Sequence, residues 1–247
     1  MPIAETHTEP FKVRVYETAA NGNAGIGTIA DWLQEAATIH AGLLGFSNQE
    51  MAQAGVAWVL SRLCIRMERY PALGETIQVR TWPTFKNKRR AARDFRLTDD
   101  QGLVIGSGTS AWVALDLATR RMGSMPDFVV QHCPALDEHA CEFTAKSLPR
   151  LERAEHAMTL TARASDLDQN DHVNNAHLLK WALEPVPNTR SRFQPAVADI
   201  AFRAEVPPGG TVTAGCSASV ENGTLLHVLT RDDGTEAVRM LTQWPGA

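Results

Sequence analysis

A chain of 247 residues, 44% hydrophobic and 21% charged, has the composition of a soluble globular protein with a sizeable core, built as one large domain or two small ones. Its formal net charge of −4 excludes whole-molecule attraction for nucleic acid or an anionic membrane, so an acidic partner would have to meet a local basic patch. No apolar run reaches membrane-spanning length, and the opening MPIAETHTEPF does not read as a secretory signal. Cys64, Cys133, Cys141 and Cys216 lack C-x-x-C spacing and read as reduced thiols. A cytoplasmic compartment is therefore expected, with the plastid stroma left open for a chain that has lost a transit peptide.

FKVRVYE (11–17) alternates like a strand. A Gly/Asn-rich loop, Asn21 to Gly27, leads to a helical pattern with Thr28 and Asp31 as its capping pair. Ile29, Leu33, Ala36, Ala37, His40 and Leu44 share one face, and Gly45 is the stop signal. Four strands are predicted at 56–69, 75–83, 90–98 and 104–116, parted by turn signals at Pro71–Gly74, Asn87 and Asp99–Gly102.

The second half repeats this order. MTLTARA (158–164) is strand-like, a polar loop follows, and a helix runs from Asn175 to Glu184 before Pro185. Strands are expected near 197–206, 211–219, 224–231 and 236–244, with turns at Pro207–Gly210, Asn222–Gly223 and Asp233–Gly234. Sliding the halves so that Trp32 meets Trp181 also pairs Glu35 with Glu184, Arg14 with Arg163 and Asn21 with Asn170. One helix wrapped by a bent antiparallel sheet is the hotdog arrangement, so the fold class is α+β with two tandem hotdog modules. The N-terminal module spans 1–132, a linker with proline, acidic, Cys and His residues spans 133–152, and the C-terminal module spans 153–247. Lone modules of this kind leave a sheet edge uncovered and pair; here the pairing is covalent, and a homodimer of the whole chain remains open.

The densest polar cluster, Asp166-Leu-Asp168-Gln-Asn170-Asp-His172-Val-Asn174-Asn175, stands immediately before the second helix. Asp and Asn favour turns and caps, so composition alone would make this loop structural. The first half, however, carries Ala19 and Asn23 where Asp168 and His172 stand, so the fold does not require those side chains. A helix N-terminus also polarises a carbonyl, and a nearby imidazole can reach that carbonyl or its attacking water.

The segment SDLDQNDHVNNAHLLKWALEPVP (165–187) resembles the acyl-acyl carrier protein thioesterases, matching their D-x-N-x-H-V-N-N signature at Asp168, Asn170, His172, Val173, Asn174 and Asn175. RVYETAANGNAGIGTIADWLQEAATIH (14–40), WVLSRLCIRMERYPALGETIQVRTW (58–82) and AWVALDLATRRMGSMPD (111–127) resemble the family's first hotdog. The resemblance implies catalysis by Asp168, Asn170 and His172 with a Glu from the following strand, which Asp199-Ile-Ala-Phe-Arg-Ala-Glu205-Val206 assigns to Glu205. Plant members usually carry a Cys beside this Glu; Val206 stands there instead, which favours direct attack by water over a covalent thiol route.

The implied reaction releases a fatty acid from acyl carrier protein. Glu205 or Asp168 would draw the proton from water, and His172 and Asn170 would orient it and hold the oxyanion together with N–H groups near Asn174 and Asn175. Thiolate leaves readily, so no metal or organic cofactor is expected. His172 and His177 face different sides of a helix, and the other histidines have no recognised ligand spacing. The resemblance also places the acyl chain in the first module, making Leu33, Ala37, Trp58 and Trp112 pocket candidates beside their default reading as core. Lys86, Lys88, Arg89, Arg90 and Arg93 form either a solvated hairpin or the receiver of an acidic carrier protein. An acyl-coenzyme A thioesterase, a hotdog dehydratase and a non-catalytic acyl-binding protein are the rival readings.

Overall fold

The computed structural model describes residues 4–187, 194–218 and 223–244. The chain opens with β1 (His7–Lys12), which alternates between half-buried and exposed side chains. The alternation expected as far as residue 17 ends there. The Glu17 carboxylate accepts from the Arg14 N–H at 2.8 Å, Val15–Glu17 close into a 3-10 turn, and Val15 and Tyr16 are left exposed. Helix α1 (Ile26–Leu43) then starts ahead of the pair predicted to cap it. Its N-cap is Gly25, which has no side chain to offer. Thr28 lies inside the first turn, its hydroxyl donating to the Glu17 carbonyl at 3.0 Å, and Gln194 Oε1 accepts from the Ile26 N–H at 2.6 Å. The apolar face holds as spaced: Ile29, Leu33, Ala36, Ala37 and His40 are buried, and Gly45 ends the helix with φ 80°.

A short α2 (Asn48–Gln53), capped by Ser47, precedes β2 (Val56–Met67), β3 (Thr76–Lys86), β4 (Ala91–Thr98) and β5 (Val104–Asp116). Then come β6 (Arg121–Met122) and α3 (Asp127–His132), neither marked by a sequence pattern. The second round is β7 (His156–Thr161), α4 (Asn175–Leu183), β8 (Val197–Phe202), β9 (Thr211–Ala218), β10 (Thr224–Arg231) and β11 (Glu236–Gln243). Position 219 and Asn222, expected in a strand and a turn, lie outside the described residues. The duplication extends to individual hydrogen bonds. Asp166 caps the Arg163 N–H at 2.8 Å as Glu17 caps Arg14, and the bridge Thr18–Ala24 recurs as Leu167–Val173.

Among the described residues eleven strands make one sheet, in the order β1-β3-β4-β5-β2-β8-β11-β10-β9-β7 with β6 on β5. The order is a mirror image about its centre, where β2 and β8 pair antiparallel around Leu63 and Ile200. Each module thus covers the strand edge that the other would expose. α1 and α4 touch where the Asn175 amide donates to Gln34 Oε1 at 3.2 Å. One apolar core joins Ile29 and Leu33 of α1 to Leu179 and Trp181 of α4. Gly108 on β5 seats the first helix, since a Cβ there would come within 2.9 Å of Leu33 Cδ1. This is the hotdog arrangement, twice, in an α+β chain.

Residues 134–150 do more than connect. They run as a strap across the sheet face opposite the helices. Glu138 pairs with Arg80 and Arg96 at 3.0 Å, and its carbonyl accepts from Trp82 Nε1 at 2.7 Å. The Ala140 N–H donates to buried Asp94 at 2.8 Å, and Thr144 donates to Asp199 through both N–H (2.7 Å) and hydroxyl (2.8 Å). Asp199, wholly buried, also takes a two-pronged contact from Arg62 at 2.8 and 2.9 Å, and Arg62 reaches on to the Ala145 carbonyl. All four cysteines are free thiols, three of them buried. Among the described residues no helix is long and apolar enough to cross a membrane.

Asp199→Ala should lower the free energy of unfolding by about 3 kcal/mol, because it leaves a largely covered guanidinium without its counter-charge and the Thr144 donors without an acceptor; a urea midpoint unchanged from wild type would contradict this. A second expectation concerns His227, which is buried, donates through Nδ1 to the Ala182 carbonyl (2.9 Å) and accepts at Nε2 from Thr242 (2.8 Å). Burial pushes its imidazole down from 6.5 to about 4, so the folded chain holds it neutral. The unfolded chain takes up that proton first as acid is added, so stability falls between pH 6.5 and 4. His227→Gln should flatten the pH dependence of the thermal midpoint in that window.

Candidate active site

The polar loop ahead of α4 is closed by main-chain hydrogen bonds, to which the Asp168 carboxylate adds one. Asp168 Oδ1 accepts from the Asn170 N–H at 2.8 Å, its carbonyl accepts from Asp171 at 3.1 Å, and its N–H donates to the His172 carbonyl at 2.8 Å. The same path is traced in the first module by Ala19, Gly22 and Asn23, with Ala19 N–H to Asn23 carbonyl at 2.8 Å. Where that loop turns through Gly22 at φ 81°, this one places Asp171 at φ 62°, a conformation Asp tolerates at a cost. The backbone is shared; the side chains of Asp168 and His172 are additions to it.

Two backbone events bring His172 to Glu205. β8 was expected to continue to residue 206, but its ladder ends at Phe202, because the N–H groups of Arg203 and Ala204 both turn to the Ala237 carbonyl (2.8 and 3.3 Å). Glu205 therefore lies in the segment beyond the strand. The Val173 N–H then donates to the Val206 carbonyl at 3.0 Å, so the residues preceding each are set side by side. His172 Nε2 lies 3.2 Å from Glu205 Oε2, with the imidazole 24% and the carboxylate 47% exposed. Arg203 turns to Glu236 at 3.4 Å instead of pairing with Glu205.

Sequence reasoning missed a third member. Arg120, from the β5–β6 turn of the first module, places NH2 2.6 Å from the same Glu205 Oε2. It sat inside a matched segment, yet nothing in its spacing marked it. Arg231 holds the Glu205 carbonyl at 3.3 Å and pairs with Asp233 at 3.0 Å. The two helix-start asparagines are partly committed to structure. The Asn174 N–H donates to the Asp166 carbonyl (2.9 Å) and its side-chain oxygen accepts from the Ala176 N–H (2.7 Å), so Asn174 is the cap of α4. Asn175 reaches Gln34 across the two helices, and His177 pairs with Asp166 at 3.2 Å.

A cavity of about 70 Å³, partly open to solvent, lies in the first module. Ala37, Trp58 and Trp112 line it together with Phe46, Pro83 and Arg93, whereas Leu33 lies outside the lining, in the core against Gly108. Gln34 ties the helix α1 to Asn175, and Ala37 follows it by three residues, so the cavity lining includes a residue about one helical turn along α1 from that contact.

The basic run divides. Lys88, Arg89 and Arg90 are exposed, Lys88 beside Asp127 at 3.2 Å and Arg90 over the Phe85 ring at 5.3 Å. Lys86 donates to the Cys133 carbonyl. Arg93 is not on this surface. β4 turns it inward, where it donates to His40 Nδ1 at 2.8 Å and Thr81 at 3.2 Å. Burial brings its guanidinium down to about 10 and, with the Arg93 charge, pushes His40 to about 4.

Comparison with known proteins is consistent across the chain. Residues 4–133 match the acyl-ACP thioesterase N-terminal domain and residues 150–246 the C-terminal domain. A palmitoyl-acyl carrier protein thioesterase of Gossypium hirsutum is 32% identical over 96% of this chain, which spans 63% of that protein's length. The oleoyl-acyl carrier protein thioesterase 1 of Arabidopsis thaliana is 32% identical over 97% of this chain and 76% of its own; both relatives are chloroplastic. The 12:0-ACP thioesterase structure from Umbellularia californica superposes with a TM-score of 0.88 at 27% identity, covering 98% of this chain and 97% of that one. The chain belongs to the acyl-ACP thioesterase family.

Proposed function

We propose that the chain hydrolyses a fatty acyl thioester of acyl carrier protein to a free fatty acid and the carrier thiol. The carrying observation is the 3.2 Å contact of His172 with Glu205 at the start of α4. A water held beside this pair gives a proton to the Glu205 carboxylate as its oxygen attacks the thioester carbon. The tetrahedral oxyanion collapses with loss of thiolate, which takes up a proton delivered by way of His172. Glu205 is assigned as the base because it is the carboxylate in contact with His172, whereas Asp168 is bound to the Asn170 main chain. Asn170 and the N–H of Asn175 are the donors assigned to the oxyanion. The first module, residues 1–132, would hold the acyl chain in its cavity, and the second, residues 153–247, would supply the chemistry.

His172→Ala should fold as wild type and lose turnover by about a hundredfold or more on acyl carrier protein thioesters, followed by thiol release. Wild-type turnover in that variant would overturn the assignment. Lys88, Arg89 and Arg90 are the surface proposed for the acidic carrier. Arg89→Glu with Arg90→Glu should raise KM for carrier-protein substrates about tenfold and leave hydrolysis of acyl-coenzyme A unchanged; equal effects on both would remove the hairpin from carrier recognition.

A further inference from the structure

The turn that carries Arg120 is built with more care than its exposure suggests. Asp116 Oδ1 accepts from the Ala118 N–H (3.1 Å), the Thr119 N–H (2.8 Å) and the Thr119 hydroxyl (2.9 Å), and its carbonyl accepts from the Arg120 N–H at 2.9 Å. The Gly123 N–H closes the return on the Ala114 carbonyl at 2.8 Å. Within this frame Arg120 has φ 55°, the left-handed region that glycine occupies freely and arginine does not. Its side chain then crosses from the first module to the second and ends on one atom, Glu205 Oε2, at 2.6 Å. A backbone position that favours glycine, yet carries the one long side chain that bridges to the reacting carboxylate, marks the side chain as the reason for the strain.

We propose that Arg120 is a positioning residue for hydrolysis: the first module holds the Glu205 carboxylate in line with His172 through a guanidinium fixed on the β5–β6 turn. The inference rests on the assignment of Glu205 in the preceding section. Arg231 cannot substitute, since it binds the Glu205 carbonyl and is paired with Asp233. Arg120 touches neither water nor thioester in this scheme. It fixes which way the shared oxygen points and keeps the carboxylate from rotating away into solvent, to which it is 47% exposed.

Arg120→Gly separates side chain from backbone, because glycine relaxes the turn while removing the guanidinium. Thermal midpoint, kcat and KM would be measured on the full chain with palmitoyl and oleoyl thioesters of acyl carrier protein, beside Arg120→Lys and Glu205→Gln. The expected result for Arg120→Gly is an equal or higher midpoint and a kcat lowered about ten- to a hundredfold at little change in KM. Arg120→Lys should recover part of that loss, and added guanidinium ion should restore turnover in Arg120→Gly but not in Glu205→Gln. Wild-type kcat in Arg120→Gly, or a loss that neither lysine nor guanidinium repairs, would overturn the positioning role. Wild-type kcat in Glu205→Gln would instead overturn the catalytic assignment itself.

Discussion

The antiparallel pairing of β2 with β8 is the constraint on which everything else in the molecule leans. It runs through Leu63 and Ile200, and it turns two short sheets into one whose strand order mirrors about that line. Backbone pairing alone would leave the joint open on the face away from the helices. That face is closed by the strap, and the closure is electrostatic: buried Asp199 gathers Arg62 from β2 and Thr144 from the strap at a single carboxylate. A buried pair of this kind adds little net stability over an apolar contact, but it specifies register, since a slip of one residue would turn Asp199 to the other face and leave both charges unpaired.

Duplication explains how such a frame acquires chemistry. The loop before each helix is closed by the same main-chain hydrogen bonds, at Ala19–Asn23 and at Asp168–His172. The first copy keeps small or neutral side chains and lies over a module with a cavity; the second carries a carboxylate and an imidazole. The main-chain bonds close both loops alike, so neither side chain is needed for that closure. The partner of His172, Glu205, is reached only because the β8 ladder breaks at Phe202 and the freed chain bonds to Val173.

Much of this architecture was legible in the sequence. The strands β2 to β5 and β8 to β11 follow their turn signals closely, and the face of α1 from Ile29 to His40 is buried as its spacing implies. The errors have physical causes. Val13 and Val15 looked like one alternating strand, but Glu17 folds the chain back onto Arg14 within three residues. Arg93 continued a basic run in sequence, while the pleat of β4 turned it into the interior with His40. Arg120 and the strap contacts of Glu138 and Thr144 depend on side chains meeting across long sequence separations, and no local pattern encodes such meetings.

Of the candidate residues, His172 and Glu205 come together, Asp168 accepts from the Asn170 main chain beside them, and Asn174 caps the helix behind them. What distinguishes this arrangement chemically is the route of the oxygen atom. Water attacking the thioester carbon directly leaves Glu205 unmodified, whereas a carboxylate acting as nucleophile would pass through a mixed anhydride. A single turnover in heavy-oxygen water, with enzyme in excess over acyl carrier protein thioester, detects an anhydride that opens at the Glu205 carboxyl. Direct attack puts the heavy atom in the first fatty acid released and none in the protein; unlabelled fatty acid, with the label found on Glu205, would contradict it.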